Sequence, residues 1–213
     1  MLMQIHRKLS VFVCMAAGFF LIFSQLADSK TNDFEKLRRE SANIKTLQAD
    51  FIQKKSMKIL SKPLISEGRF YYAAPDSFRW EYLKPLRSVV MAYKNSTRRF
   101  MYSDGKMVED KMGGAQAMKI VLGEIAGWMN GRFDQNPSFT AAIHEGAVTR
   151  ITLTPVGKSM GGMIEKIEIT LSQKAAAVKS VKIIEDANSF TQINFQNVEI
   201  NKTIDPLVFQ DVK

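Results

Sequence analysis

GRFYYAAPDSFRWEYLKP, residues 68–85, is the stretch whose reading decides the fold. In its first half Phe70 and Tyr72 share one face, opposite Arg69 and Tyr71. In its second half Phe78, Trp80 and Tyr82 share a face, opposite Arg79 and Glu81. A strand alternates its side chains with period two, so both halves read as strands. Ala73-Ala74-Pro75-Asp76-Ser77 breaks them apart. The stretch is therefore a hairpin with one aromatic face and one mostly polar face.

The flanks extend the pattern. Upstream, 31–41 reads as a short helix that Asn32 or Asp33 can cap, with Phe34, Leu37 and Ile44 at helical spacing. Leu47, Ala49 and Phe51 then alternate with Gln48, Asp50 and Ile52 as a strand. Residues 54–65, basic in their first half and carrying Pro63, read as a turn or a frayed hairpin end. Downstream, 89–93 is a strand, 94–97 turns the chain, 99–103 returns it, and Asp104-Gly105 is a tight-turn dipeptide. Residues 112–133 break this rhythm. Met118, Val121, Leu122, Ile125, Trp128 and Met129 recur at three and four, which predicts an amphipathic helix. Gly123, Gly127 and Gly131 are expected to interrupt it, and its glycines and methionines suggest a movable cover. After Pro137, strands are expected at 138–144, 147–154, 163–171, 178–184 and 189–200. Strands at such short spacing, with turns between them, predict an α+β, mainly antiparallel β chain whose sheet curls into a barrel or sandwich.

The N-terminus reads as a secretory signal. Arg7 and Lys8 precede an apolar run from Val11 to Phe23, and Ala27-Asp28-Ser29 follows. Residues 1–29 are then removed, with cleavage after Ser29 or Ala27, and 30–213 form one domain. Cys14 lies within the apolar run behind the branched Val13, which is not a lipidation site. It is the only cysteine, so the exported product has no disulfide or thiol chemistry, which suits a bacterial periplasm. The formal net charge of +9 falls by one when the signal is removed. A basic surface can favour anionic membranes or nucleic acid, and export argues against nucleic acid; no Lys/Arg run exceeds two residues, so the charge reads first as an evenly charged soluble surface.

Catalytic signatures are missing. The exported chain keeps one histidine, His144, and no zinc-protease, nucleophile-elbow, phosphate-loop or dinucleotide pattern occurs. No cofactor or metal is expected. Soft apolar material is abundant, with 14 Phe and 12 Met. A curved sheet with an aromatic concave face, covered by loose helices, would enclose an apolar cavity suited to a lipid. Its expected lining is Phe51, Phe70, Tyr72, Phe78, Trp80, Tyr82, Met91, Met118, Leu122 and Ile125.

Several elements together carry a resemblance. They are L-x-A-x-F-x-Q (Leu47, Ala49, Phe51, Gln53), S-x-G-x-F-x-Y (Ser66, Gly68, Phe70, Tyr72), P-D-S-F-R-W-E-Y (Pro75 to Tyr82) and Ile204 to Phe209. In this order, after a signal peptide and a short helix, they resemble the periplasmic outer-membrane lipoprotein carrier family, LolA. The resemblance implies an incomplete, strongly curved β-barrel, a half-barrel, with short lid helices over an apolar cavity. It implies a soluble, monomeric carrier that takes lipoproteins by their acyl chains from an inner-membrane ABC transporter. It passes them to an outer-membrane acceptor lipoprotein. Phe78 and Trp80 match cavity-facing positions. The family's lid-latching arginine stands immediately before the proline, where this chain has Ala74, leaving Arg69 and Arg79 as the latch candidates. The chain also ends soon after Phe209, without the further segment some members carry. These departures leave open a carrier of a glycolipid or other envelope lipid, or a lipid-sensing regulator of the same fold.

Overall fold

The computed structural model describes residues 33–94, 96–110, 123–157, 164–173 and 176–212. Helix α1 covers 33–41. Six strands follow: β1 (Thr46–Ser56), β2 (Leu64–Ala73), β3 (Ser77–Lys84), β4 (Ser88–Tyr93), β5 (Ser96–Ser103) and β6 (Lys106–Glu109). Helix α2 is described over 123–129. Five more strands complete the chain: β7 (Phe139–His144), β8 (Arg150–Pro155), β9 (Lys166–Leu171), β10 (Val178–Ile184) and β11 (Phe190–Ile200). A 3-10 turn, Pro206–Phe209, closes it.

All eleven strands form one antiparallel sheet, ordered β6-β5-β4-β3-β2-β1-β11-β10-β9-β8-β7. It is two meanders joined along β1 and β11. Among the described residues the edge strands β6 and β7 do not pair, so the sheet stays open, and the choice left between barrel and sandwich resolves as an unclosed, one-sheet half-barrel. The chain between those edges, residues 110–138, contains α2. The core lies on one face of the sheet: Leu47, Ala49, Phe51, Phe70, Tyr72, Phe78 and Trp80 from the first meander, Ile151, Ile167, Ile169, Val181, Ile193 and Phe195 from the second. Phe34 and Leu37 of α1 and Ile125, Trp128 and Met129 of α2 bury against the same cluster.

The quoted stretch forms the β2–β3 hairpin, with Phe70 opposite Trp80 and Tyr72 opposite Phe78. Gly68 sits where a side chain has no room. A Cβ there would run into the backbone carbonyl of Glu81 and the ring of Phe51, which lies over the glycine. Gly68→Ala is expected to cost about 1–3 kcal/mol, the usual range for overpacking a filled core. A urea melt checks this; an unchanged midpoint would mean that the Phe51 ring and the Glu81 backbone both give way freely.

The strand boundaries differ modestly from expectation. β8 begins at Arg150 rather than at 147, β9 begins at Lys166, β5 already includes Thr97, and β6 was not anticipated. A larger difference concerns Gly131. It ends α2 instead of interrupting it. Its φ is +70°, the Arg132 amide donates to the Gly127 carbonyl at 2.9 Å, and the Gly131 amide donates to Trp128 at 3.0 Å. This double bond pattern is the Schellman helix stop. A Cβ at Gly131 would also meet the α1 backbone, 2.8 Å from the Arg38 Cα. The glycine thus lets the end of α2 press on α1, where Arg38 bridges Glu35 and Asp134, each at 2.6 Å.

Candidate functional site

The concave face of β1–β3 is an aromatic floor. The ring centroids of Phe51 and Trp80 are 4.3 Å apart, and those of Phe70 and Trp80 are 5.4 Å apart. Phe195 meets Trp80 edge-on from β11 at 6.1 Å. Tyr82 stands at the margin, edge-on to Phe51, and its hydroxyl donates to Gln53 Oε1 at 2.9 Å. Helix α2 packs over this floor. Ile125 is buried there, while Met118 and Leu122 lie outside the described residues. A cavity of about 340 Å³ opens where α2 meets β3 and β4, bordered by Phe78, Ala92, Gly123 and Ala126, with Lys94 and Arg132 at its rim.

Polar groups in this layer are few. Burial holds the Tyr72 and Tyr82 phenols above the ordinary tyrosine range, so both are neutral donors at pH 7. The Tyr72 hydroxyl donates to Asn130 Oδ1 at 2.6 Å. Asn130 Nδ2 in turn donates to the Pro75 carbonyl at 3.2 Å. Asn130 thus ties the end of α2 to the turn of the hairpin. The indole N–H of Trp128 is buried and reaches no acceptor among the described residues, while that of Trp80 faces the Tyr82 hydroxyl without forming a well-aligned hydrogen bond. An orphaned donor costs about 1–3 kcal/mol.

Three expected site residues lie elsewhere. Met91 pairs with Arg79, not with Trp80, so it faces the convex side, with Val89 and Phe100. It does not line the concave face. Arg69 also points outward, 3.8 Å from Asp50, in a polar groove with Gln48, Tyr71, Asn197 and Glu199. Arg79 is buried on that convex side. It donates to Glu81 at 3.1 Å and to the carbonyls of Val208 and Asp211 at 3.1 and 2.6 Å. Neither arginine reaches the α2 side of the sheet, because strand alternation sends residues 69 and 79 away from their aromatic neighbours. The polar tie between helix and hairpin comes instead from Asn130, at a position the sequence pattern did not single out. Asn130→Ala is expected to lower stability by about 1–3 kcal/mol, since it leaves Tyr72 and the Pro75 carbonyl with fewer partners. Thermal melting measures this, and an unchanged melting temperature would show that the tie carries nothing.

With this geometry in view, comparison with known proteins is decisive. The model of the family described as outer membrane lipoprotein carrier protein LolA matches residues 42–211. The chain belongs to the LolA family. A relative from Methylococcus capsulatus, an outer-membrane lipoprotein carrier protein, is 25% identical over 211 residues, covering 98% of this chain and 94% of its own. Two solved structures share the fold. An uncharacterized conserved protein from Thermus thermophilus aligns with a TM-score of 0.53 at 7% identity, over 86% of this chain and 94% of its own. MucB of the Pseudomonas aeruginosa MucA/MucB complex aligns with a TM-score of 0.52 at 11% identity, over 84% of this chain and 60% of its own. Within this LolA-family chain, no described helix is long and apolar enough to cross a membrane.

Proposed function

We propose that this LolA-family protein is a periplasmic carrier that binds lipoproteins by their acyl chains and moves them from the inner to the outer membrane. In this reading residues 1–29 are the export signal, 30–213 are the carrier domain, and the protein catalyses no reaction. It works as a monomer between an inner-membrane ABC transporter and an outer-membrane acceptor lipoprotein. The acyl chains would lie between the aromatic floor (Phe51, Phe70, Tyr72, Phe78, Trp80, Tyr82) and α2, against Ile125.

The observation that carries this reading is how the floor is covered. The rings and α2 bury against one another in a single cluster, with the cavity beside Phe78 left open, and on the hairpin side the helix end is held by the side chain of Asn130. A ligand enters by lifting α2. Breaking the Asn130 tie costs about 1–3 kcal/mol, and each buried methylene contributes about 0.8 kcal/mol. Three or four methylenes therefore offset the tie, and a full acyl chain exceeds it severalfold. The orphaned indole donor of Trp128 also suits a ligand that brings carbonyl acceptors, as acyl esters and amides do.

Native mass spectrometry of the protein, isolated from the periplasm without detergent, tests the reading. The expected adduct is an acylated lipoprotein. A glycolipid or other non-protein lipid adduct would reassign the cargo. Recovery of ligand-free protein alone, with no crosslink from a photoreactive residue at Ile125, would end the carrier reading.

A further inference from the structure

One end of the sheet carries a surface that the concave site does not use. Residues 54–65, KKSMKILSKPLI, hold Lys54, Lys55, Lys58 and Lys62 without a single acidic residue. They form the end of β1, the β1–β2 turn and the start of β2. Apolar side chains stand out among these lysines: Ile59 is 86% exposed, Leu64 53% and Ile65 47%. The β3–β4 turn adds Leu86, 75% exposed. Glu67 pairs with Lys84, so Ile65 and Leu86 each lie two residues beyond that pair, at the same end of neighbouring strands. Arg87 follows, its guanidinium 5.3 Å from the half-exposed Tyr102 ring.

Single exposed leucines are ordinary, but several large apolar side chains at one end of a sheet mark a contact surface. The charge around them selects the partner. Lys84 and Lys55 are taken up by Glu67 and Glu185, and Lys58 lies within electrostatic reach of Asp186, while Lys62 and Arg87 have no carboxylate partner among the described residues. Apolar tips interleaved with ammonium and guanidinium groups match a bilayer interface. There the tips reach the acyl boundary and the cations meet lipid phosphates.

We infer that this end of the half-barrel docks on an anionic lipid bilayer through Ile59, Leu64, Ile65 and Leu86, with Lys58, Lys62 and Arg87 on the headgroups. The hairpin turn at Pro75 and the Asn130 tie lie at the other end of β2, roughly 30 Å away at strand rise. Docking therefore leaves the α2 tie free of the membrane. The inference adds to the carrier reading the surface by which a carrier meets a membrane, and it stands on the exposed residues alone.

The test is flotation of the full chain with vesicles of phosphatidylglycerol and phosphatidylethanolamine, against vesicles of phosphatidylcholine alone. Wild-type protein is expected to float with the anionic vesicles, less with the neutral ones, and less again at high salt. Ile59→Ser with Leu86→Ser is expected to lower partitioning about tenfold or more. Lys58→Gln with Lys62→Gln is expected to lower it about fivefold per lysine. All four positions are in exposed turns, and unchanged thermal melting shows that the variants fold. Three outcomes overturn the inference: no flotation of wild-type protein, equal flotation of wild type and variants, or association only when the vesicles carry a membrane protein. Uptake of a fluorescent fatty acid in solution separates this from the carrier reading. It is expected to be unchanged in all these variants, and its absence from wild-type protein that still floats would remove the carrier reading alone.

Discussion

Trp80→Ala is expected to lower the melting temperature by about 10 °C, because truncating a fully buried tryptophan costs about 3–5 kcal/mol and each kcal/mol moves a domain of this size by about 2–4 °C. The indole is 2% exposed and touches Phe51, Phe70, Tyr82 and Phe195, which come from four different strands. No single neighbour can move to fill the hole without disturbing another strand. The same variant probes the proposed cargo site. If Trp80 forms part of the floor on which acyl chains lie, affinity for a fluorescent fatty acid falls together with stability. Loss of stability with undiminished affinity would assign Trp80 to core packing alone and place the acyl chains elsewhere.

Arg79→Ala is expected to be about as damaging, for a different reason. Arg79 is 6% exposed, and its guanidinium is shared among Glu81, the carbonyls of Val208 and Asp211, and the sulfur of Met91. Removing it leaves the mostly buried Glu81 carboxylate without its arginine, and breaking a buried pair in this way costs about 3–5 kcal/mol. It also releases the C-terminal segment, whose Val212 packs on Val89, Met91 and Phe100. Limited proteolysis reads this out directly. Cleavage near residues 205–212 should appear in the variant well below its melting temperature. A variant that resists the protease there would show that Phe209 and Val212 hold the segment by packing alone. Glu81→Gln is the companion variant. It keeps an acceptor for Arg79 but removes the charge, and is expected to cost less.

The hairpin was legible because its two faces differ so sharply. Phe70, Tyr72, Phe78 and Trp80 alternate with polar neighbours, and the structure sets them opposite one another in register. The same alternation already placed Arg69 and Arg79 on the far side, which is why neither meets α2. Met91 was not legible. β4 reads Val89-Val90-Met91-Ala92, apolar on both faces, because its convex face is covered by the C-terminal segment. A strand buried on both sides has no period-two signal to assign its faces. Asn130 was invisible for another reason. Its partners, Tyr72 and Pro75, are 58 and 55 residues away, and a hydrogen bond at that range leaves no local pattern. Gly131 carried a usable signal, since a glycine at the end of a helical period followed by Arg132 fits a helix stop. The openness of the sheet could not be read from strand lengths, which are alike for closed and open forms.

The seam between β1 and β11 makes the central pairing of the sheet its most distant one along the chain. Leu47 pairs with Ile200, so the middle of the sheet joins the two ends of the domain. A chain made from its N-terminus presents β1 to β6 first, with the inner edge of β1 bare until almost every other residue has followed. Closing so long a loop is slow. During that interval Phe51 and its neighbours sit beside an unpaired strand edge, which invites pairing with another chain. The last strand to emerge is thus the one that makes the sheet whole. Truncation within β11 would leave two half-sheets with exposed edges rather than a slightly shorter domain.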